Sequence, residues 1–464
     1  MAKRAGGRQA RGTPGKGGTR GLQWWLVMAL AFGCVSAAGY TVYLLTTDTA
    51  VSYSSIEDHI KYGSTGAERT VSLPYPVFRV LPILFRDYLP GDGYGSLGFI
   101  EERGRDVPVG FSRRYYRGLD RVGLNCGACH VGRLRDTADA DPRVLIGMPA
   151  NTADIGAFQR FLFQCAADER FTPEAILAAI DEADVSLGPI DRVRLRYVEI
   201  YRVRELLLRL RQRFQFAEDH PPFGPGRIDT INATKALVGI DLGDRHERPV
   251  GTVDFAAVWL QQKKTGMSLY WDGSNDSMEE RMLLGAVHTG AVGTADLESV
   301  QRIRMALEEE APPAFPFGFQ ASLAQAGAVV YSRYCSACHG RDGREFRVGG
   351  EVGQVTPLAQ IGTDLHRVTV YTEEVAEAQR RLSADLKERF THFKKTEGYA
   401  NVPLDGLWLR APYLHNGSVP TLRDLLEPAE RRPSVFFRGD DVYDPQNVGF
   451  VSDVPERGGR RFFT

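Results

Sequence analysis

Cys126-Gly127-Ala128-Cys129-His130 and, 209 positions later, Cys335-Ser336-Ala337-Cys338-His339 are two copies of one five-residue pattern, CxxCH. Two thiols at this spacing can each form a thioether with one vinyl group of a porphyrin, and the adjacent imidazole then lies against the iron. The pattern is typical of covalently attached haem c. We therefore expect two haems per chain, held by Cys126, Cys129, Cys335 and Cys338, with His130 and His339 as iron ligands.

Two haem-free interpretations of these cysteines fit the sequence less well. A four-cysteine zinc site would have to join pairs that are 209 residues apart, and it would not need the histidine after each pair. A thioredoxin-like disulfide requires CxxC at the start of a helix in a βαβ unit, and neither copy has that context. The two remaining cysteines, Cys34 and Cys165, lie in apolar or helical surroundings and are expected to be inert.

The N-terminus predicts export. Residues 1–21 contain six basic residues, seven glycines and no acidic residue, which predicts a disordered cytoplasmic tail. Residues 22–45 carry no charge, and at about 1.5 Å per residue they can cross a hydrocarbon core of about 30 Å. Trp24, Trp25, Tyr40 and Tyr43 mark the margins of this segment. Together these features predict a single-pass anchor that leaves the rest of the chain on the periplasmic side of the bacterial inner membrane.

Two other interpretations of this segment stay open. The small residues at 35–38 would suit a signal peptidase, which would leave a soluble periplasmic protein, although the apolar stretch is longer than the usual signal core. A lipoprotein site at Cys34 fits less well, because apolar sequence continues beyond it. All three interpretations export the chain.

Composition and periodicity predict a mainly α fold. The formal net charge of −1 over 464 residues gives no reason to expect a nucleic acid partner. Helical periods recur, whereas no alternating run is long enough for a substantial sheet. We divide the exported part into an N-terminal haem domain (65–170), a helical linking region (171–317) and a C-terminal cytochrome c domain (318–464).

Two helices are predicted in the linking region. Thr172 followed by Pro173 is typical of a helix N-terminus. Apolar residues spaced at three and four from Ile190 predict a long helix that ends near Phe214. Its many arginines are expected to form a solvated surface, and a basic docking face is the alternative.

The two motifs are expected in different local settings. A helix from about Ser322 should deliver the second pair of thiols at its end, and Gly327 on its face would let another helix approach closely. The first motif has no such helix before it, so we expect its pocket to consist of loops and of a helix from Thr152 to Cys165. The apolar stripe of that helix is either plain core or a haem wall, and its residues are Ile155, Phe158 and Leu162.

The C-terminal part resembles a known family. The sequence LDGLW at 404–408, followed by APYLHNGSVPTL at 411–422, is similar to the signature of the di-haem cytochrome c peroxidase and MauG superfamily. The closest similarity is to its branch of bacterial rubber oxygenases and their uncharacterised relatives, whose linking region resembles residues 224–229, 253–255 with Trp259, 271–273 and 280–281. The resemblance covers about residue 65 to the end. It implies two mostly helical haem domains in a pseudo-symmetric pair with long loops, located in the periplasm.

The resemblance also implies a function. In that superfamily one haem reacts with peroxide or dioxygen and the other transfers electrons, because an iron with an open sixth position binds small ligands and a six-coordinate iron does so slowly. We expect an oxidoreductase with the reactive haem on His130, and a redox protein or a small oxidant as its partner. A non-enzymatic di-haem electron carrier is the main alternative, and a redox or gas sensor is a third. The sequence does not identify a substrate.

Candidates for further haem ligands are few. His415 is the best one at the second haem, either as axial ligand or as a hydrogen-bonding neighbour. Ala429 stands where the peroxidase branch has a methionine ligand. Met148 is a candidate at the first haem, with core packing as the commoner case. The other histidines are isolated in sequence and are expected to be surface or structural residues, with His366 the best ligand candidate among them: His59, His220, His246, His288, His366 and His392.

Two tryptophans and the C-terminal segment complete these expectations. The resemblance suggests Trp259 or Trp271 as an electron relay between the haems, and buried aromatic packing explains them equally well. Residues 427–464 show no helical period, whereas the rubber oxygenase branch continues into a further segment with a Gly-His pair and a last helix. We therefore expect the chain to be truncated, and the sixth ligand of the second haem to lie in the missing part.

Overall fold

The computed structural model describes residues 1, 6–7, 18–240, 249–343, 345–346, 350–382 and 390–464. About 45% of the chain is helical, which confirms the mainly α prediction. The helices are α1 (Gly18–Thr46), α2 (Ile56–Tyr62), α3 (Tyr75–Leu84), α4 (Gly127–His130), α5 (Ile155–Ala167), α6 (Pro173–Glu182), α7 (Pro189–Arg194), α8 (Ile200–Arg213), α9 (Gln215–Glu218), α10 (Thr230–Val238), α11 (Met278–His288), α12 (Leu297–Glu309), α13 (Ala321–Tyr334), α14 (Ser336–His339), α15 (Leu358–Ile361), α16 (His366–Val370), α17 (Glu373–Arg381) and α18 (Leu422–Leu426).

Strands are short and pair locally. They are β1 (Asp48–Ala50), β2 (Leu73–Pro74), β3 (Phe111–Tyr116), β4 (Leu119–Leu124), β5 (Val131–Leu134), β6 (Arg143–Ile146), β7 (Arg227–Ile228), β8 (Val253–Asp254), β9 (Val355–Pro357), β10 (Gly398–Ala400), β11 (Tyr443–Asp444), β12 (Gly449–Phe450), β13 (Glu456–Arg457) and β14 (Arg460–Arg461). The largest sheet has the order β1-β3-β4-β2, and the other strands form the pairs β5-β6, β7-β8, β9-β10, β11-β12 and β13-β14.

The N-terminal helix α1 has the length and composition of a membrane span. Its segment Gln23–Leu44 has a mean hydropathy of 1.7 over 22 residues. At about 1.5 Å per residue this segment suffices to cross a bilayer core. An anchor and a signal sequence both satisfy this criterion, so the choice between them stays a prediction.

Local capping explains where several helices begin. The Thr172 hydroxyl accepts the amide of Ala175, and Pro173 occupies the first helical position, as predicted. Carboxylate or hydroxyl caps recur at α2, α5, α10, α11, α12 and α17, provided by Ser55, Asp154, Asp229, Ser277, Asp296 and Thr372.

Strands, and not loops, flank the first CxxCH motif. β3 and β4 lead into Cys126, and β5 follows His130 directly and pairs with β6. The expectation that loops dominate this pocket is therefore wrong, because runs of four to six residues were too short to show a strand period in the sequence. The predicted helix is present as α5, and its Phe158 packs 5.2 Å from the ring of Phe111 on β3.

The long helix predicted from Ile190 is present, but its buried face is a different one. α7 continues through a π-helical turn at Leu195–Glu199 into α8 and ends at Arg213. Ile190 and Tyr201, which carried the prediction, are exposed, whereas Leu195 and Ile200 are buried. The predicted stripe is exposed both before and after the π turn, because a second apolar stripe on the same helix, which includes Leu195, Ile200 and Leu207, is the one that faces the core.

The C-terminal part consists of short elements held by buried polar contacts. No residue of α13 is buried, and no heavy atom of the described residues lies within 4 Å of the position of a Cβ on Gly327. The close helix approach expected at Gly327 is therefore absent from the described part of the chain. Residues 427–464 form no α-helix, as predicted, and Arg438 in this segment forms a buried ion pair with Asp254 at 2.7 Å.

Residues Thr49–Tyr115 and Leu119–Thr464 belong to one compact unit. The domain boundaries at 170/171 and 317/318, and the pseudo-symmetry of two haem domains, stay predictions.

Candidate haem-binding sites

The turn into the first motif is fixed by Asn125. Its buried amide donates to the carbonyls of Lys61 and Gly63 at 3.1 and 3.0 Å, and its Oδ1 accepts the amide of Gly127 at 2.9 Å. These bonds set the start of α4, the single helical turn that follows Cys126 and carries Cys129 and His130. Gly110 has a positive φ and packs against Ala128 of that turn, where a side chain would collide with the backbone.

His130 is oriented as an iron ligand. Its Nδ1 lies 2.9 Å from the carbonyl oxygen of Ala256, and because a carbonyl can only accept, Nδ1 must carry the proton. Nε2 is then an unprotonated nitrogen that is available to a metal. Burial lowers the pKa of His130 to about 4, which keeps the imidazole neutral at physiological pH.

The two thiols beside His130 are held in their protonated form by burial. Burial raises the pKa of Cys126 to about 11 and that of Cys129 to about 12. Zinc binding and disulfide exchange both need a thiolate, which such values disfavour. Neither cysteine forms a disulfide. The setting favours a thioether over the two haem-free interpretations.

Cys126, Cys129 and His130 line a cavity of about 260 Å³. The three residues of the predicted α5 stripe are part of its wall, so the haem-wall interpretation of that stripe is the one the structure favours. Much of the remaining wall is apolar as well, with contributions from several elements, including Phe78, Phe111, Leu207 and Leu210.

Helix α11 contributes polar groups to this cavity. Arg281 is half-buried in the cavity wall, and its Nη1 donates to Oε1 of Gln261 at 2.6 Å. Among the described residues no carboxylate lies within ion-pair distance of Arg281. His288, two turns further along the helix, has an Nε2 that is buried and lacks a hydrogen-bond partner within the described ranges.

These groups fit a haem. A porphyrin is a flat apolar ring with two anionic propionates, so it suits an apolar cavity that holds two thiols, one neutral imidazole and a cation without a carboxylate. The orphan nitrogen of His288 is a further donor of the type that iron accepts. Cys126, Cys129 and His130 would hold the group covalently and axially, and Arg281 would offset a propionate charge.

The second motif has the same orientation device in a more exposed setting. Helix α13 ends at Cys335, and Nδ1 of His339 lies 2.9 Å from the carbonyl oxygen of Val402. Asn401 fixes that carbonyl, because its Nδ2 donates to the Glu351 carbonyl and its Oδ1 accepts from the Thr356 hydroxyl. Helix α13 is exposed, and the motif is only half-buried.

Glu351 raises the pKa of one thiol of the second motif. Sγ of Cys338 donates to Oε2 of Glu351 at 3.0 Å, and this bond raises the pKa of Cys338 to about 11. The thiol is therefore neutral, as at the first motif.

His415 is buried and already hydrogen-bonded. Its Nε2 lies 3.0 Å from the hydroxyl of Tyr399 and 3.4 Å from Oδ1 of Asp364. Its carbonyl accepts the amide of Asp254 at 2.8 Å. Burial lowers the pKa of His415 despite the nearby carboxylate. The exposed His366 binds Oδ2 of the same Asp364 through its Nδ1.

Other candidates lie away from the two motifs or have structural partners. Met148 is fully buried in an apolar cluster with Leu134 and Trp259, as core packing predicts. His59 bonds to Ser299, His220 to the carbonyl of Pro221 and His392 to Asp276, whereas His246 lies outside the described residues.

The two candidate relay tryptophans occupy different positions. Trp259 is fully buried, and its Nε1 donates to the Ile146 carbonyl at 2.8 Å. Trp271 lines the first cavity, and its Nε1 donates to the carbonyl of Asp254. The carbonyl of Trp271 accepts the amide of Ala400, two residues before Val402. Trp271 therefore joins the first cavity to the segment that orients His339.

Sequence reasoning did not place Arg281 or His288 at a haem site, although Arg281 belongs to the segment at 280–281 that carries the family resemblance. His288 was expected to be a surface or structural residue because no other chemistry-bearing residue stands beside it in the sequence. Its position seven residues after Arg281 is the only available signal, since residues seven apart share a helix face.

The comparisons with known proteins agree with a haem protein. Residues 398–437 match a family described as RoxA-like, cytochrome c-like. The chain is 25% identical over 512 residues to the uncharacterized protein y4iJ of Sinorhizobium fredii, covering 85% of this chain and 82% of that protein. It is 30% identical over 239 residues to the uncharacterized protein y4iM of the same organism, covering 45% of this chain and 52% of that protein. The matched segment contains Tyr399, Val402 and His415, and supports a haem-dependent cytochrome similar to the rubber oxygenase branch.

Proposed function

We propose that this chain is an exported di-haem c-type oxidoreductase, in which the haem at His130 reacts with peroxide or dioxygen and the haem at His339 transfers electrons. The observation that carries the proposal is the contrast between the two motifs. The first lines an apolar cavity whose wall also carries the cation of Arg281, whereas the second lies at the end of an exposed helix.

Bound haem supplies an iron that changes redox state and can coordinate a small oxidant. The chain supplies the surroundings. The Ala256 carbonyl holds the proton on Nδ1 of His130 and so directs Nε2 away from that carbonyl. The apolar walls lower the local dielectric constant, so the charge on Arg281 is screened less there than at an open surface.

The second motif suits electron exchange with a redox protein. Transfer to a partner requires a group near the surface, and every residue of α13 is at least partly exposed. Asn401 and Glu351 fix the segment around His339 without closing it. Trp271 lines the first cavity, and its carbonyl accepts the amide of Ala400 in the segment that orients His339. This hydrogen bond connects the two haem sites and supports the relay role over packing alone.

For His415 the contacts favour a positioning role. Tyr399 and Asp364 already occupy the surroundings of its Nε2, so ligation of iron would have to break both contacts. We propose that His415 holds Asp364 and the segment at 398–402 in place, and so acts on the second haem through the Val402 carbonyl.

An electron carrier without enzyme activity is the second candidate. His288 favours it, because a second imidazole in the first cavity could close the iron to oxidants. Either function is consistent with an exported protein whose α1 is a membrane anchor or a signal sequence.

The test begins with the haem count. The full chain, made in a bacterial host that attaches haem c, should carry two covalent haems, and Cys126→Ala with Cys129→Ala should leave one. Cys165→Ala, a buried cysteine outside both motifs, is the matched control and should keep two. A single haem in the unaltered chain would contradict the two-site assignment.

Activity is measured on the same proteins. With a reducing dye as electron donor, consumption of peroxide or dioxygen should be lost in the variant that lacks the first haem and kept in the Cys165→Ala control. If the two-haem protein passes electrons between dyes but consumes neither oxidant, the carrier function replaces the oxidoreductase.

A further inference from the structure

We infer that the outer face of the helix formed by α7, the π turn and α8 docks on the surface of an anionic phospholipid bilayer. The inference goes beyond the proposed redox function, because it concerns where the exported part of the chain rests and not what its haems do. It starts from a helix that has one apolar stripe in the core and a second one in solvent.

The inner stripe fixes this helix to the rest of the molecule. Ile200, Leu207 and Leu210 are buried in the main hydrophobic core. Arg204 adds a polar contact, because its Nε donates to the carbonyl of Ala166 in the last turn of α5 at 2.9 Å. These contacts hold the opposite face of the helix toward the surroundings.

The outer stripe is apolar and aromatic. Its four residues follow one another at spacings of three, four and four, which places them on one face of a helix. They are Ile190, Val193, Tyr197 and Tyr201, and they are 53%, 57%, 67% and 58% exposed. Tyrosine suits the boundary between hydrocarbon and headgroups, since its ring is apolar and its hydroxyl is polar. The surface of a bilayer offers both environments to such a stripe.

Arginines flank the outer stripe. Arg196 is exposed and has no ion-pair partner among the described residues. Arg202 is also exposed, and its nearest carboxylate is that of Glu199 at 3.9 Å. Glu199 is buried and already pairs with Arg121 at 2.8 Å. Because an arginine can lay its apolar stem along a surface and extend its guanidinium to phosphates, both charges are available to anionic headgroups.

The charge of this helix is opposite to that of the exported part as a whole. Residues 189–213 contain eight arginines and three acidic residues, which gives a formal charge of +5. Without the six basic residues of the tail, residues 22–464 contain 51 basic and 58 acidic residues, which gives a formal charge of −7. An anionic surface attracts this helix and repels the acidic remainder, so it selects this face.

The N-terminal helix makes weak docking sufficient. As an anchor, α1 would keep the exported part beside the bilayer, so that contact by a second surface is an intramolecular event. Each basic residue near an anionic surface strengthens binding about fivefold, which is enough for a tethered surface. A bilayer is therefore the occupant that both the charge of the helix and the anchor support.

The experiment uses the full chain with both haems, placed in nanodiscs of phosphatidylglycerol or of phosphatidylcholine. Hydroxyl radicals oxidise exposed tyrosine rings, and mass spectrometry measures the oxidation of each ring. Oxidation of Tyr197 and Tyr201 should be about threefold or more lower in phosphatidylglycerol, the anionic lipid. Tyr334, which is 71% exposed and lies outside this helix, is the internal control and should be oxidised equally in both lipids. Salt at about 1 M should remove the difference, because it screens surface charge.

Charge variants give a second readout. Arg196→Gln with Arg202→Gln should raise the oxidation of both tyrosines in phosphatidylglycerol to the level seen in phosphatidylcholine, because the two charges beside the stripe are gone. Arg431→Gln with Arg461→Gln is the matched control, since these side chains are 76% and 89% exposed in the C-terminal segment. The control should keep the protection. Haem absorption should be the same in all variants, because every substituted side chain is exposed.

Three results would overturn the inference. Equal oxidation of Tyr197 and Tyr201 in the two lipids would show that anionic lipid does not cover the stripe. Protection that appears in detergent and rises with protein concentration would identify a second copy of the chain as the occupant. If the chain is cleaved near Ala38, the mature protein is tested with vesicles of the same lipids, and equal binding to both would be the third. None of these results changes the haem count, so the inference and the proposed function are tested separately.

Discussion

At the scale of single residues, Gly417 shows why the segment around His415 tolerates little change. Its backbone has a φ of 60°, a left-handed conformation that favours glycine. Its carbonyl accepts Nη1 of Arg438 at 2.6 Å, and a Cβ at this position would collide with the carboxylate of Asp254. Asp254 also donates its amide to the carbonyl of His415. The glycine therefore permits the buried ion pair and His415 to lie side by side.

We expect Gly417→Ala to destabilise the protein by about 2–5 kcal/mol, the sum of left-handed strain and overpacking. Thermal unfolding followed by circular dichroism measures the loss. Gly104→Ala is the matched control, because Gly104 has a φ of 80° but no heavy atom within 4 Å of its Cβ position. The control should cost only about 1–2 kcal/mol. Equal losses in the two variants would show that Asp254 and Arg438 shift to accommodate the added methyl group, so that no collision occurs.

At the scale of elements, the helix formed by α7, the π turn and α8 has one face in solvent and one in the core. Ile190 is 53% exposed, whereas Ile200, ten residues later on the same helix, is 1% exposed. The two isoleucines have the same chemistry and differ only in the face that carries them. They can therefore report which face is buried.

Ile200→Ala should cost about 2–5 kcal/mol, because it removes apolar burial and leaves a cavity. Ile190→Ala should change the free energy of unfolding by less than about 0.5 kcal/mol, as is usual for surface positions. Chemical denaturation of the two variants measures both values. A large loss at Ile190 would mean that this exposed stripe is covered by another surface in solution.

The haem motifs and several helix positions could be identified from the sequence because their signals are local. The CxxCH spacing, the Thr172 cap and the helix before Cys335 each depend on residues close in the chain. The partners of the first haem site depend on contacts between distant segments. His288 is 158 positions from His130, and Ala256, which orients His130, acts through its backbone and so has no sequence signature. At the second motif, Val402 orients His339 through its backbone carbonyl and so has no sequence signature either.

At the scale of the whole molecule, the haem motifs and the N-terminal helix point to the same compartment. Helix α1 is long and apolar enough to cross a membrane, and basic residues precede it in the sequence. Positive charge before a first span favours a cytoplasmic N-terminus, which would place both CxxCH motifs outside the cytoplasm. The basic residues before the helix favour one orientation in the membrane, and the apolar length of the helix determines how firmly it is held there. The two contributions can therefore be tested separately.

A reporter enzyme that works only outside the cytoplasm should be active when it is fused after residue 60. The fusion should also stay in the membrane fraction after a high-salt wash, because a helix of 22 residues buried in the bilayer binds it far more strongly than surface charges do. Replacing the six basic residues of the tail by glutamine should lower reporter activity, since the charge difference across the helix sets its orientation. The matched control replaces Arg113 and Arg117, basic residues after the helix, in a fusion placed after residue 120, and should not lower activity. Recovery of a soluble fusion that begins near Ala38 would replace the anchor by a cleaved signal, and an inactive reporter in the unaltered fusion would contradict export altogether.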